Sequence, residues 1–379
     1  MTGRRRSHGE GGVYQRESDG RWVGAVDLGW IDGKRRRRVV YGRTEREVLG
    51  KLRDMRRASE RGQDLSARPR TVAEWLAEWM AEVKAHDGTR TTTLRRYQQI
   101  VDGHLVPVLG KVRLDHLAPR DVQRLLSERR ESVSAATLVK IHGVLRVALA
   151  DAERMELVPR NVARAVRPPS LTREERRALT VSEAQRFLKV LTGHRLEAVF
   201  VVALTMGLRR GEVLGLKWDD IDVDGRTLWV RRAVQRVGGE LRFVEPKTHR
   251  SRRSLPIPSS AVAVLERHRA RQAVDRLSVG EVWRDYGLVF TTSIGTPLEP
   301  RNVNRAFDQL REAAGLSWLR LHDLRHACAT FLLAEGIEPR TVMEVLGHST
   351  IRLTMDTYGH ALPERMHAAA DALDRLLSS

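Results

Sequence analysis

The apolar positions along the chain fall into three blocks of different rhythm. Over residues 1–65 they alternate in short runs at Val13–Arg16, Arg21–Leu28 and Arg36–Tyr41, the two-residue period of half-buried strands. Ser18-Asp19-Gly20 and Asp32-Gly33 supply turn residues between the runs, and a helical stretch follows from Thr44 to Arg61. After the break Arg68-Pro69-Arg70 the period becomes helical. Thr71-Val72-Ala73-Glu74 has the form of a capping box, and Trp75, Leu76 and Trp79 fall on one face of the helix it opens. Further helices are expected at Thr92–His104, Pro119–Arg130 and Ser134–Met155, with Val106–Leu117 loop-like between them. Residues 70–165 thus read as a four-helix unit whose tryptophans belong to the core. Arg167-Pro168-Pro169-Ser170 starts a second linker. The third block, 175–379, opens on another capping box, Thr180-Val181-Ser182-Glu183. It continues with an apolar helix over Arg195–Met206 and strands at Thr227–Gln235, Glu240–Val244 and Arg253–Ile257. From Arg301 the period is helical to the end. The expected architecture is multidomain and mainly α with small β-sheets (α+β).

Charge narrows the choice of partner. The chain carries 67 Lys and Arg against 48 Asp and Glu, a net charge of +19. An excess of this size points to a polyanion, most often nucleic acid. Residues 1–65 hold 17 basic and 10 acidic side chains, a net +7, and the run Lys34-Arg35-Arg36-Arg37-Arg38 lies on or beside the third strand. A β-ribbon with such a run can enter a major groove of DNA. A solvated edge strand that resists aggregation is the alternative reading. Only 8 of the 67 cationic side chains are lysine. Cys328 is the sole cysteine, so neither an intrachain disulfide nor a cysteine-based zinc site is available. No stretch approaches the ~20 apolar residues of a membrane span, and MTGRRRSHGEGG lacks the apolar core of a signal peptide. A cytoplasmic protein without a membrane partner is expected.

Three constellations in the third block carry chemistry. They are Gly207-Leu208-Arg209-Arg210-Gly211-Glu212, then Leu321-His322-Asp323-Leu324-Arg325-His326, then Leu346-Gly347-His348-Ser349 followed by Tyr358-Gly359-His360. In this order and spacing they resemble the tyrosine site-specific recombinases of the phage-integrase type, and the match spans about 175–379. The first two blocks are similar to that family's arm-type DNA-binding domain (1–65) and helical, SAM-like core-binding domain (70–165).

The resemblance implies cleavage of a DNA phosphodiester by tyrosine attack, leaving a 3′-phosphotyrosyl link. It makes Tyr358 the nucleophile. A phenol is weakly nucleophilic at its ordinary pKa near ~10 and needs a base or nearby positive charge. By the same resemblance His322 is the base, Arg209 and Arg325 clamp the phosphate, His348 donates to it, and Lys247 protonates the leaving 5′-oxygen. His322 and Arg325 stand three apart on a helix, so both can face one phosphate. Glu212 is read as a structural partner of Arg209. His326, His360 and Arg352 are read as non-catalytic, and Cys328 as a packed apolar residue.

The implied partners are double-stranded DNA, with core and arm attachment sites, and further copies of the chain in a tetramer on that DNA. Family analogy adds accessory host or excisionase factors to these. No metal or nucleotide cofactor is implied, because the phosphotyrosyl bond conserves the energy of the phosphodiester. Three rivals compete with this reading. A metal nuclease is suggested by His322 and His326 at a spacing of four, but Arg325 between them would set a cation beside the metal. A non-catalytic DNA-binding regulator and a type IB topoisomerase are the others. An apolar stripe at Met366, Ala369, Ala370, Leu373, Leu376 and Leu377 suggests a C-terminal helix that packs on its own domain or on a neighbouring copy.

Overall fold

The computed structural model describes residues 12–31, 34–60, 70–171, 177–245 and 252–347, with side chains described except at 28–29, 31, 34–36 and 58–60. The chain divides into two compact units, Met1–Arg173 and Glu174–Ser379.

The first unit begins with a three-stranded antiparallel sheet in the order β1 (Val13–Gln15), β2 (Trp22–Ile31), β3 (Lys34–Gly42). The β1–β2 turn forms where Asp19 and Gly20 were expected to make it. Gly20 adopts φ +66 and its N–H donates to the Arg16 carbonyl at 2.9 Å. The Asp32-Gly33 turn lies outside the described residues. Helix α1 (Glu45–Glu60) covers the sheet with Val48 and Leu52, which are buried together with Val23.

The helical part of this unit starts at α2 (Val72–Glu78). The Thr71 hydroxyl accepts from Glu74 N–H at 3.2 Å and the Glu74 carboxylate accepts from Thr71 N–H at 2.8 Å, the reciprocal bonds of a capping box. Trp75, Leu76 and Trp79 are fully buried, as their shared face required. Both indoles find acceptors inside. Trp75 Nε1 donates to the Ala148 carbonyl at 3.1 Å and Trp79 Nε1 to Asp151 Oδ2 at 2.7 Å. The remaining helices are α3 (Thr91–Ile100), α4 (Val106–Leu109), α5 (Pro119–Arg129) and α6 (Ala135–Arg154). Two π-helical stretches, Trp79–Lys84 and Val101–Leu105, extend α2 and join α3 to α4.

That continuity corrects the start of the loop expected at Val106–Leu117, where Val106–Leu109 is helical and residues 110–112 form a turn. Leu105 and Leu109 are both fully buried, and Pro107 falls in the first turn of α4, where its missing N–H is tolerated. Burial of the two leucines holds this stretch in the helix. A 3₁₀ turn over Leu114–His116 follows.

The second unit is built on α7 (Val181–Leu191), α8 (Glu197–Thr205) and α11 (Pro300–Ala313). These helices bring Phe187, Phe200 and Phe307 together at ring-centroid distances of 5.5–6.4 Å. The capping box at Thr180 and Glu183 forms, with bonds of 3.2 and 3.0 Å. α8 is buried all round, consistent with its unbroken apolar run. Between α8 and α11 lie α9 (Arg210–Leu214), strands β4 (Ile221–Asp222), β5 (Thr227–Val230), β6 (Ala233–Val237), β7 (Glu240–Val244) and β8 (Arg253–Pro256), and the long helix α10 (Ser259–Val279). Helices α12 (Leu321–Ala334) and α13 (Pro339–Leu346) follow α11.

The strands depart from expectation in two ways. The single strand expected over Thr227–Gln235 breaks at Arg231-Arg232. Both arginines turn onto Asp220, a carboxylate 1% exposed, Arg231 at 3.5 Å and Arg232 in closer contact. β5 then pairs with β4 and β8, while β6 pairs with β7 alone. The strands flanking the Lys247 segment, β7 and β8, therefore lie in different sheets and do not form a hairpin with each other. Burial explains the sorting. β5 and β8 oppose Leu228 to Leu255, both buried, whereas β7 keeps Phe243 41% exposed.

Candidate active site

Helix α8 ends at Thr205 with Met206 as its cap, and the chain turns through Gly207, whose φ of +59 favours a residue without a Cβ. A Cβ there would come within 2.7 Å of Leu346 Cδ2 and 3.2 Å of Cys328 Sγ. This turn sets Arg209 at the N-cap of α9, half-exposed. Its backbone N–H donates to Glu212 Oε2 at 3.0 Å and its Nη1 to Glu212 Oε1 at 2.7 Å. Its Nη2 reaches the Gly347 carbonyl at 3.2 Å.

Arg325 enters the same turn from α12. It is 2% exposed, and its Nη1 donates to the Gly207 carbonyl at 2.7 Å. His322 lies one helical turn earlier and is exposed, with its ring edge-on to His326 at 4.9 Å between centroids. The structure thus gathers Arg209 and Arg325 around one three-residue turn and places His322 on the helix that delivers Arg325. Lys247, His348 and Tyr358 lie outside the described residues, as do Arg352, His360 and the apolar stripe from Met366 to Leu377.

Arg253 was not singled out in the sequence. From β8 its Nη2 donates to Glu212 Oε2 at 3.1 Å and its Nε to the Val345 carbonyl at 2.8 Å, with its side chain 7% exposed. Burial works against ionisation of Glu212, but Arg253 and Arg209 outweigh it and hold its pKa below the ordinary carboxylate value. Burial lowers the pKa of Arg253 itself, partly offset by Glu212. Arg253 also lines a cleft of about 680 Å³ with Trp229, Arg231, Arg232, Phe243 and Arg252.

In the N-terminal sheet, Lys34, Arg35, Arg36, Arg37 and Arg38 all lie on β3. Arg37 is exposed and pairs in register with Asp27, while Arg38 is half-buried opposite Val26. Side chains of the other three are outside the described set. Exposed aromatics accompany the run: Trp30 is 75% exposed, Tyr14 58% and Tyr41 45%, and the Arg16 guanidinium lies 5.3 Å above the Tyr41 ring. Their alternation suited a buried face equally well, so sequence gave no sign of their exposure.

Comparison with known proteins settles the family. Residues 177–365 match the phage integrase family, and residues 71–128 match the phage integrase N-terminal SAM-like domain. An integrase of Streptomyces ambofaciens is 31% identical over 98% of this chain and 97% of its own length. The chain belongs to the phage integrase family. The ICEBs1 integrase of Bacillus subtilis is 24% identical, covering 92% of this chain and 94% of its own. Among solved structures, the Tn1549 transposon integrase in complex with a circular intermediate DNA shares the fold with a TM-score of 0.68 at 20% identity, over 80% of this chain and 99% of that one. A lambda integrase dimer bound to a core site gives 0.57 at 20% identity, over 76% and 95%. This phage integrase family member is a site-specific DNA recombinase of a phage or mobile element, a tyrosine recombinase that cleaves and transfers DNA strands. Its mainly helical architecture with small antiparallel sheets is that of these neighbours. Among the described residues no helix is long and apolar enough to cross a membrane.

The residue read as a packed apolar side chain behaves so. Cys328 is buried with its thiol 3.7 Å from the Thr205 carbonyl, and burial pushes its pKa up to about 11. Trp218 packs partly buried against the core and donates from Nε1 to Gln272 Oε1 at 2.7 Å.

Proposed function

We propose that this recombinase opens a DNA phosphodiester by attack of the Tyr358 phenol on phosphorus, forming a 3′-phosphotyrosyl bond and releasing a 5′-hydroxyl. Arg209 and Arg325 offset the charge that collects on the non-bridging oxygens. His322 takes the phenol proton, His348 donates to the phosphate, and Lys247 delivers a proton to the leaving 5′-oxygen. Reversal of the same steps on a second strand completes the exchange, so the atoms balance without a metal or a nucleotide cofactor. The observation that carries the reading is the meeting of Arg209 and Arg325 at the Gly207–Arg209 turn, held by the 2.7 Å bond from Arg325 to Gly207. Preorganised donors of this kind are each worth ~10²–10³-fold in rate.

In this reading residues 1–65 bind arm-type DNA through the β3 run, residues 70–165 bind the core site, and residues 175–379 carry the chemistry. The double-stranded DNA is held by four copies of the chain, and direction is set by accessory factors. The net charge of +19 supports a duplex partner. The test is a nicked suicide substrate, on which loss of a short fragment traps the covalent adduct. The wild-type protein accumulates the adduct, in EDTA as well as without it. Tyr358→Phe binds the DNA and yields none. Adduct formation by the Phe variant would place the nucleophile elsewhere, and a strict need for added metal would favour a nuclease.

A further inference from the structure

We infer that Arg253 is a positioning residue for Arg209, acting through Glu212 and through the C-terminal end of α13. The inference rests on the reading of Arg209 as a phosphate clamp.

Glu212 is shared between two cations. Oε1 accepts from Arg209 Nη1 at 2.7 Å, and Oε2 accepts both from the Arg209 backbone N–H at 3.0 Å and from Arg253 Nη2 at 3.1 Å. With its side chain 5% exposed, Glu212 has little water to turn to. The same two arginines also hold one helix end. Arg253 Nε donates to the Val345 carbonyl at 2.8 Å, and Arg209 Nη2 donates to the Gly347 carbonyl at 3.2 Å. Gly347 ends the helix in the left-handed conformation, φ +65, and a Cβ there would stand 2.8 Å from Arg253 Nη1. The guanidinium therefore lies close against this turn, one residue before His348 in the chain.

Two fixed points thus define where Arg209 sits, the Glu212 carboxylate and the end of α13, and Arg253 grips both. Removing it would leave Glu212 Oε2 short of a donor in a buried place, and would take a donor from the carbonyl of the half-buried Val345. The carboxylate would then draw the Arg209 guanidinium inward, away from a bound phosphate. Lysine is a poor substitute, since one ammonium on a flexible stem does not reproduce the two bonds that Nε and Nη2 make in one plane. Stability alone is a weak reason for a buried ion pair of this sort, because desolvation offsets much of the attraction.

A double-mutant cycle in the full-length protein tests this. Core-site affinity, melting temperature and single-turnover cleavage of the suicide substrate are measured for wild type, Arg253→Lys, Arg209→Ala and the double variant. Arg253→Lys is expected to bind DNA as wild type does and to cleave about 10²-fold more slowly, the scale of a misplaced catalytic group. Arg209→Ala is expected to be slow as well. The double variant is expected within about twofold of Arg209→Ala, since a residue acting through Arg209 has no effect left once Arg209 is gone. Wild-type cleavage by Arg253→Lys, or penalties that multiply in the double variant, would overturn the inference. Should the Lys variant melt too low to assay, Arg253→Met, similar in length and uncharged, is put through the same cycle with the same outcomes. Wild-type cleavage by Arg209→Ala is a separate result. It would remove the clamp reading itself, whatever Arg253 does.

Discussion

Arg325 Nη1 donates to the Gly207 carbonyl at 2.7 Å, which fastens the arginine of α12 to the turn that presents Arg209 two residues later. The two cations come from positions more than a hundred residues apart, yet one backbone oxygen sets their relation. An arginine 2% exposed holds its guanidinium plane by such bonds instead of by water. Arg325→Lys keeps the charge and loses the fork. Cleavage is expected to fall ~10²–10³-fold with core-site affinity nearly unchanged. A Lys variant that cleaves at the wild-type rate would show that charge alone suffices there.

Gly207 offers a second test of the same turn. Alanine must adopt φ +59, which costs about 1–2 kcal/mol, and its Cβ meets Leu346 Cδ2 at 2.7 Å. Gly207→Ala is expected to lower the melting temperature and slow cleavage while leaving DNA binding in place. Adding Leu346→Ala relieves the contact and should recover part of the cleavage rate, although the new cavity costs stability of its own. If cleavage does not move in either variant, the turn does not position the arginines.

These relations mark what the sequence could and could not disclose. Periodicity placed most of the helices, though not α10, the longest among the described residues, nor the short α4 and α9. Both capping boxes formed where a Thr precedes a Glu by three, because those signals are local. The two arginines proposed as clamps were found through the family resemblance of the constellations around Gly207 and His322. Arg253 was not, since an arginine in an Arg-rich chain carries no mark of burial until Glu212 and the end of α13 close over it. The break between β5 and β6 was hidden for a related reason. The alternation runs on through Arg231-Arg232, and only the buried Asp220 diverts those side chains.

Cys328 gives a prediction about pH. Burial raises its pKa from the ordinary 9.0 to about 11. The folded state therefore favours the neutral thiol. The stability this contributes is fully present below pH 9 and is lost as pH rises through about 11. At pH 8 the native protein is expected to take up iodoacetamide far more slowly than the same protein in denaturant, read by mass spectrometry. Equal rates in the two states would mean that the thiol is accessible and its packing against Gly207 and Thr205 transient.

The N-terminal sheet should act as a separable DNA reader. Its β3 run and the exposed Trp30 and Tyr41 motivate the claim that residues 1–65 engage their own duplex site. Removal of 1–65 is expected to abolish recombination of full attachment DNA while core-site binding persists. Arm-site affinity should fall with salt at a log–log slope of about −0.9 per phosphate neutralised. A nuclease footprint unchanged by the truncation would refute a second site. Trp30→Ala and Tyr41→Ala distinguish stacking from charge, since losing an aromatic contact lowers affinity without changing the salt slope.

Lys247 is the last of the eight lysines in a chain that otherwise uses arginine for positive charge. A residue needed only for charge would have been as well served by arginine. A general acid must give up its proton, and guanidinium, with a pKa above ~12, does this poorly, whereas a lysine among other cations is tuned downward. β7 and β8, the strands before and after Lys247 in the chain, belong to different sheets among the described residues, and Lys247 itself lies outside those residues. Arg253, at the start of β8, donates to Glu212 at 3.1 Å. Lys247→Arg is expected to bind DNA normally and to cleave at least ~10²-fold more slowly. On a substrate whose leaving 5′-oxygen is replaced by sulfur the deficit should largely vanish, because a thiolate departs without protonation. Arg209→Ala should gain nothing from the sulfur, since its proposed part is to stabilise charge on the non-bridging oxygens. A fully active Lys247→Arg, or one equally slow on both substrates, would remove Lys247 from the acid's role and leave it a contact to the DNA backbone.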